Sequence, residues 1–116
     1  MVELIVLNYL KEQVSVPVYM MEPENKNPNG ETFVVIQKTG SGVENHIYSA
    51  TIAVQSYAPT LYEAASLNEE VKEAMQSIID LDEITRVELQ SDYAFIKTST
   101  KQPRYQAVFE LTHYGG

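Results

Sequence analysis

The sequence predicts an α+β fold: a mainly antiparallel sheet of four to five strands with two helices packed on one face. Three observations carry this. Three segments alternate apolar and polar residues with a period of two, as half-buried strands do, and TFVVIQK reads as a fourth strand. Two other segments place their apolar residues at helical spacing. The strand-like segments fall in two hairpin-like pairs with the longer helix between them, an order that segregates helices from an antiparallel sheet.

Val2 to about Glu12 reads as a short helix. Val2, Ile5, Val6, Tyr9 and Leu10 share one side and Asn8, Lys11 and Glu12 the other, while Leu4 and Leu7 widen the apolar face. Val14–Met20, VSVPVYM, is rich in β-formers but holds Pro17, which cannot donate to a ladder, so it is expected as an edge strand or extended lead-in. Met21–Glu31, with two prolines, three asparagines and a glycine, is loop chemistry. Thr32–Lys38 reads as a strand, and TGSGVENH then turns the chain, with Gly40 and Gly42 available for positive φ. Ile47–Ala58 is a long strand with Tyr48, Ala50, Ile52 and Val54 on one face and Ser49, Thr51 and Gln55 on the other. The two strands are expected to form a hairpin with a rather long loop.

Pro59 pushes Ala58 out of the helical region, and Thr60 precedes Glu63 by three, the capping-box spacing. Thr60 and Glu63 are therefore assigned as the helix cap. From Leu61 the apolar residues Leu61, Ala64, Ala65, Leu67, Val71, Ala74, Met75, Ile78 and Ile79 make one helical face. Tyr57 and Tyr62, which flank this corner, are expected to pack or to face a partner. An unperturbed tyrosine titrates near 10, too high for acid–base work at neutral pH. Asp80–Glu83 ends the helix. Ile84–Tyr93 is a third clear strand, with Val87, Leu89 and Tyr93 on one face, and Phe95 and Ile96 prolong its pairing. In the last strand, Arg104–Tyr114, Tyr105, Ala107, Phe109 and Leu111 face inward.

The chain of 116 residues is read as one domain, residues 1–116, with no internal repeat or linker. It carries 16 acidic and 8 basic side chains, a net charge of −8. Nucleic-acid-binding domains need a basic face and anionic membranes attract basic ones, so neither partner is expected. The acidity fits first a solvated surface that keeps the chain soluble, and also a wall that DNA passes without sticking. No cysteine is present, which excludes disulfides, thiolate catalysis and cysteine-ligated metals. The apolar start, MVELIVLNYL, carries Glu3 and no basic region, and is read neither as a signal peptide nor as a membrane span.

No catalytic constellation emerges. His46 lies in a glycine-bearing turn and His113 near the end of the last strand, neither beside a nucleophile and an orienting group. Asp80, Asp82 and Glu83 match no calcium loop. KTGSGVE lacks the order of a phosphate loop. No enzyme activity, cofactor or metal is expected. Eight tyrosines and four methionines in so short a chain suit an interface.

LKEQVSVPVYMMEPEN, FVVIQKTGSG, ATIAVQSYAPTLYEAASLNEEVKEAM and YQAVFELTHY together resemble the tail terminator, or tail completion, proteins of long-tailed bacteriophages and prophages. The resemblance covers nearly the whole chain but contains no chemically diagnostic motif. It implies a helix-backed sheet that assembles with itself into a ring, commonly hexameric, at the head-proximal end of the tail tube. Such a ring ends tube growth and joins tail to head. The implied partners are copies of the chain, the tail-tube protein and the head connector, with DNA passing through unbound. The implied location is the virion tail, after synthesis in the bacterial cytoplasm. Related head–tail connector and minor capsid proteins share this size and pattern. Glu22, Glu24 and Glu44, on the two least regular loops, are the candidates for lining the DNA channel. A small ligand-binding or regulatory α+β domain is the alternative of a different class.

Overall fold

The structure, a computed structural model, describes residues 2–20, 32–96 and 103–114. Helix α1 (Val2–Gln13) leads into the two-residue strand β1 (Val18–Tyr19). Strands β2 (Phe33–Glu44) and β3 (Ile47–Tyr57) follow, then helix α2 (Leu61–Gln76), which tightens into a 3-10 turn over Ser77–Asp80. Strands β4 (Ile84–Ile96) and β5 (Pro103–Tyr114) complete one five-stranded sheet of order β1-β2-β3-β5-β4. All pairings are antiparallel except β1 with β2. Since β3 and β4 both run antiparallel to β5, which lies between them, β3–α2–β4 is a split crossover over the sheet. The α+β reading, with both helices on one face, holds.

The core explains the layering. Val2, Val6 and Leu10 recur every four residues on α1, and Leu67, Val71 and Met75 do so on α2. They pack on Val34, Ile36, Ala50, Ile52, Val54, Ala107, Phe109 and Leu111, which the register places on one sheet face. The Tyr9 hydroxyl donates to the Ala74 carbonyl at 2.7 Å and ties the helices together. Burial, and secondarily the charge of Asp80, raises the Tyr9 pKa above its ordinary value. β1 is the expected edge strand. Its lead-in residue Pro17, lacking an N–H, contributes its carbonyl to the Val34 N–H at 2.9 Å. No helix among the described residues is long and apolar enough to cross a membrane.

The corner before α2 is built as expected in its main part. Thr60 is extended, at φ −126° and ψ 157°, and its side chain accepts from the Glu63 N–H at 3.1 Å. The reciprocal carboxylate bond of a full capping box is not formed. Leu61 and Ile79, assigned inward, are 43% and 47% exposed, because they sit where the helix meets its cap and its terminal 3-10 turn. Asn68 is buried instead.

Two expectations about the strands are corrected. The predicted glycine-centred loop does not exist: Thr39–Glu44 continues β2, and Gly40 and Gly42 are strand residues paired with Thr51 and Ser49. The turn is the two-residue Asn45–His46, with φ of 52° and 66°. Positive φ at both positions is the primed turn that matches the twist of a tight hairpin. Secondly, Tyr93 lies on the opposite face from Val87 and Leu89. The ladder shifts between Leu89 and Ser91, so Gln90 is an extra residue and reverses the alternation beyond it.

Candidate interaction surface

The sheet face away from the helices is not uniformly polar. Phe33, Val35 and Tyr57 form a second buried cluster there, with Tyr19 against it. Phe33 and Tyr57 are directly opposite on β2 and β3, and their rings stack at 4.6 Å and 13°. The tyrosines flanking the α2 corner thus divide. Tyr57 is fully buried, whereas Tyr62 is 81% exposed on the first turn of α2.

A directional hydrogen-bond chain runs from this cluster across three strands. Arg104 donates to the Tyr57 hydroxyl, which donates to Gln55 Oε1 at 3.2 Å. Gln55 Nε2 donates to Gln106 Oε1 at 2.9 Å, and Gln106 Nε2 to the Tyr93 hydroxyl at 2.6 Å. The register makes this possible, because Tyr57 faces Arg104 while Gln55, Gln106 and Tyr93 lie in one row. The sequence placed Gln55 and Gln106 on an outward face but gave no sign of the chain. The alternations Gln55-x-Tyr57 and Arg104-x-Gln106 carry it only once the strands are aligned.

At the other end, β2 and β3 run on as an arm. From Gln37 to Ile47 every residue is exposed except half-buried Gly40, and Val43 and Ile47 are 63% and 51% exposed. Between the arm and the start of α1 lies a concavity of about 450 Å³ lined by Glu3, Lys38, Val43, Tyr48, Ser49 and His113 among others. Lys38 Nζ lies 3.3 Å from the Glu3 carboxylate. That carboxyl is held below its ordinary range, first by a hydrogen bond from its own backbone N–H and then by Lys38. His113 is buried and stacked on Tyr48 at 5.8 Å.

Of the proposed channel acids, the structure describes Glu44. Glu22 and Glu24 lie outside the described residues. Glu44 is exposed as the last residue of β2, on a strand end rather than an irregular loop. His46 occupies the turn, and His113 lines the concavity with Glu3, the one carboxylate among its described lining residues. Among the described residues, no group of three or more histidines, aspartates or glutamates could hold a metal ion.

The two outer edges of the sheet complete the surface. β1 covers Val34 and Val35 of β2, and among the described residues the rest of that strand has no outer neighbour in the sheet. β4 is the opposite edge along its whole length. Neither protein-family models nor curated proteins match this chain.

Proposed function

We propose that this chain is a structural protein of a long-tailed phage or prophage, a tail terminator or completion protein. In this role it forms a ring with copies of itself at the head-proximal end of the tail tube. The observation that carries the reading is the exposed β2–β3 arm beside two sheet edges left uncovered among the described residues, since an arm that exposes Val43 and Ile47 and open ladders are features of a surface made for other chains. The helix-backed sheet is the architecture the family resemblance implies. A net charge of −8 is consistent with a wall that DNA passes without sticking. The same features serve another head–tail connector, which differs in what it binds.

Sedimentation velocity of the chain, alone and with assembled tail tubes encoded in the same gene cluster, tests the proposal. The expected outcome is a discrete species several times the 13.1 kDa monomer that co-sediments with tubes. A monomer at every concentration, indifferent to tubes, overturns it.

The concavity beside Tyr48 and His113 favours a second reading, a small ligand-binding domain, because its volume falls in the range such sites use. A metabolite that raises the melting temperature in proportion to its concentration would establish that reading.

A further inference from the structure

We propose that copies of this chain join head to tail by pairing the free edge of β2, Gln37–Glu44, antiparallel with the β4 edge, Arg86–Tyr93, of the next copy. In the pairing register, Lys38 sits opposite Asp92 and Glu44 opposite Arg86. This deepens the self-assembly part of the proposed function and rests on it.

Three features of the two strands fit one another in this register. The first is charge. Lys38 and Glu44 are six residues apart on β2, and Arg86 and Asp92 are six apart on β4. Antiparallel alignment therefore brings both opposite-charge pairs into place together. Lys38 already meets Glu3, and Asp92 already meets Lys72 at 3.4 Å, so the junction joins two existing pairs into one alternating network.

The second is the bulges. Within the matched stretches each strand carries one extra residue, Thr39 on β2 and Gln90 on β4; a second β4 bulge, at Thr85, lies just outside the match. A bulge reverses the facing of everything beyond it, so two strands stay matched face to face only if their bulges coincide. Here they do. Lys38 and Ser41, which flank the β2 bulge, both lie on the helix-bearing face, opposite Ile52 and Ala50 of the core. Leu89 and Asp92, which flank the β4 bulge, lie on that same face opposite Phe109 and Ala107. The alignment sets Lys38 against Asp92, Ser41 against Leu89 and Val43 against Val87 on the helix face. It sets Glu44 against Arg86 and Gly42 against Glu88 on the other.

The third is direction and extent. Along the sheet β2, β3, β5 and β4 alternate in direction, so the next strand beside β4 must run as β2 does. A second copy with its helices on the same side presents β2 in that sense. Among the described residues the uncovered stretch of β2 begins beyond Val35, where β1 ends, and every residue of the matched part of β4 is exposed except half-buried Val87. Because the two joined edges are different, the contact is heterologous. It closes into a ring if the rotation between copies divides the circle, and otherwise runs on as a filament.

Disulfide trapping tests the register, since the chain has no cysteine of its own. Val43→Cys with Val87→Cys, and separately Ser41→Cys with Leu89→Cys, place thiols directly opposite across the junction. Ser41→Cys with Val87→Cys places them two residues out of step. Directly opposite residues bring their Cβ atoms to about 5 Å and slipped ones to about 7–8 Å, and a disulfide needs about 4 Å. Within one chain these positions are three strand spacings apart, about 14 Å, so only different copies can be linked. Mild oxidation should give a covalent ladder of dimer, trimer and higher species from both opposed pairs, and monomer from the slipped pair. A ladder from the slipped pair alone, or from none, overturns the register. Tube binding without the opposed ladders sinks this pairing and leaves the tail assignment. The opposed ladders without tube binding sink the tail assignment and leave the pairing.

Discussion

His46 holds φ at 66° without being a glycine. The left-handed region costs an L-residue with a full side chain roughly 1–2 kcal/mol, and the second position of this turn type is where glycine normally sits. His46→Gly should therefore raise stability by about 1 kcal/mol, less the entropy glycine adds to the unfolded chain. Urea denaturation followed by circular dichroism reads this. A destabilised variant would mean that the imidazole holds the arm in a way its exposed position does not suggest. Glu3 gives a second test at this scale. Its folded pKa lies below the ordinary 4.5, so the unfolded state binds the proton more readily. The stabilisation is fully present above pH 4.5 and is lost as pH falls through the folded value. Glu3→Gln should accordingly show a smaller drop in melting temperature between pH 5 and the acid limb than the parent chain. Equal drops would show that neither the backbone hydrogen bond nor the contact with Lys38 holds the carboxylate in solution.

The hydrogen-bond chain on the open face belongs to the elements, because it couples β3, β5 and β4 rather than any single pair of residues. Tyr57 is its best-buried member and both accepts and donates there. Tyr57→Phe keeps the stack on Phe33 but leaves Arg104 and Gln55 each short of one partner. It should cost about 1–3 kcal/mol, the range for leaving buried polar groups unsatisfied. A cost near zero would mean that water replaces the hydroxyl. The element scale is also where the sequence was most and least informative. Period-two alternation marked three of the five strands, the run TFVVIQK a fourth, and Pro17 marked the fifth as an edge, because side-chain burial writes itself locally. The Thr60 cap was legible for the same reason. Register is not local. Gly40 and Gly42 looked like a turn because glycine permits one, yet they lie in a ladder opposite Thr51 and Ser49, eleven and seven residues on. Tyr93 was set on the wrong face by one unpaired residue, Gln90, which no spacing announces. The interaction surface follows that division. Its exposed tyrosines were approachable from composition, while the arm, the Arg104–Tyr93 chain and the matched bulges exist only after alignment.

Whole-molecule charge sets the conditions under which copies can meet. Each carries −8, so association opposes two like charges held apart by roughly the 24 Å short dimension of the molecule. Treated as centred charges in water, their repulsion is about 5 kcal/mol at 0.01 M salt and about 0.5 kcal/mol at 0.15 M, where the Debye length shortens from about 30 to 8 Å. The local pairs at the proposed junction, Lys38 with Asp92 and Glu44 with Arg86, act the other way. They are exposed, and each is worth at most about 1 kcal/mol before screening. Salt thus removes more repulsion than attraction, and self-association should tighten between 0.01 and 0.15 M. Sedimentation equilibrium across that range measures it. An association constant that falls with salt would show that the pairs at the strand edges outweigh the net charge. It would place the acidic side chains away from the junction, on surfaces the copies do not turn toward each other.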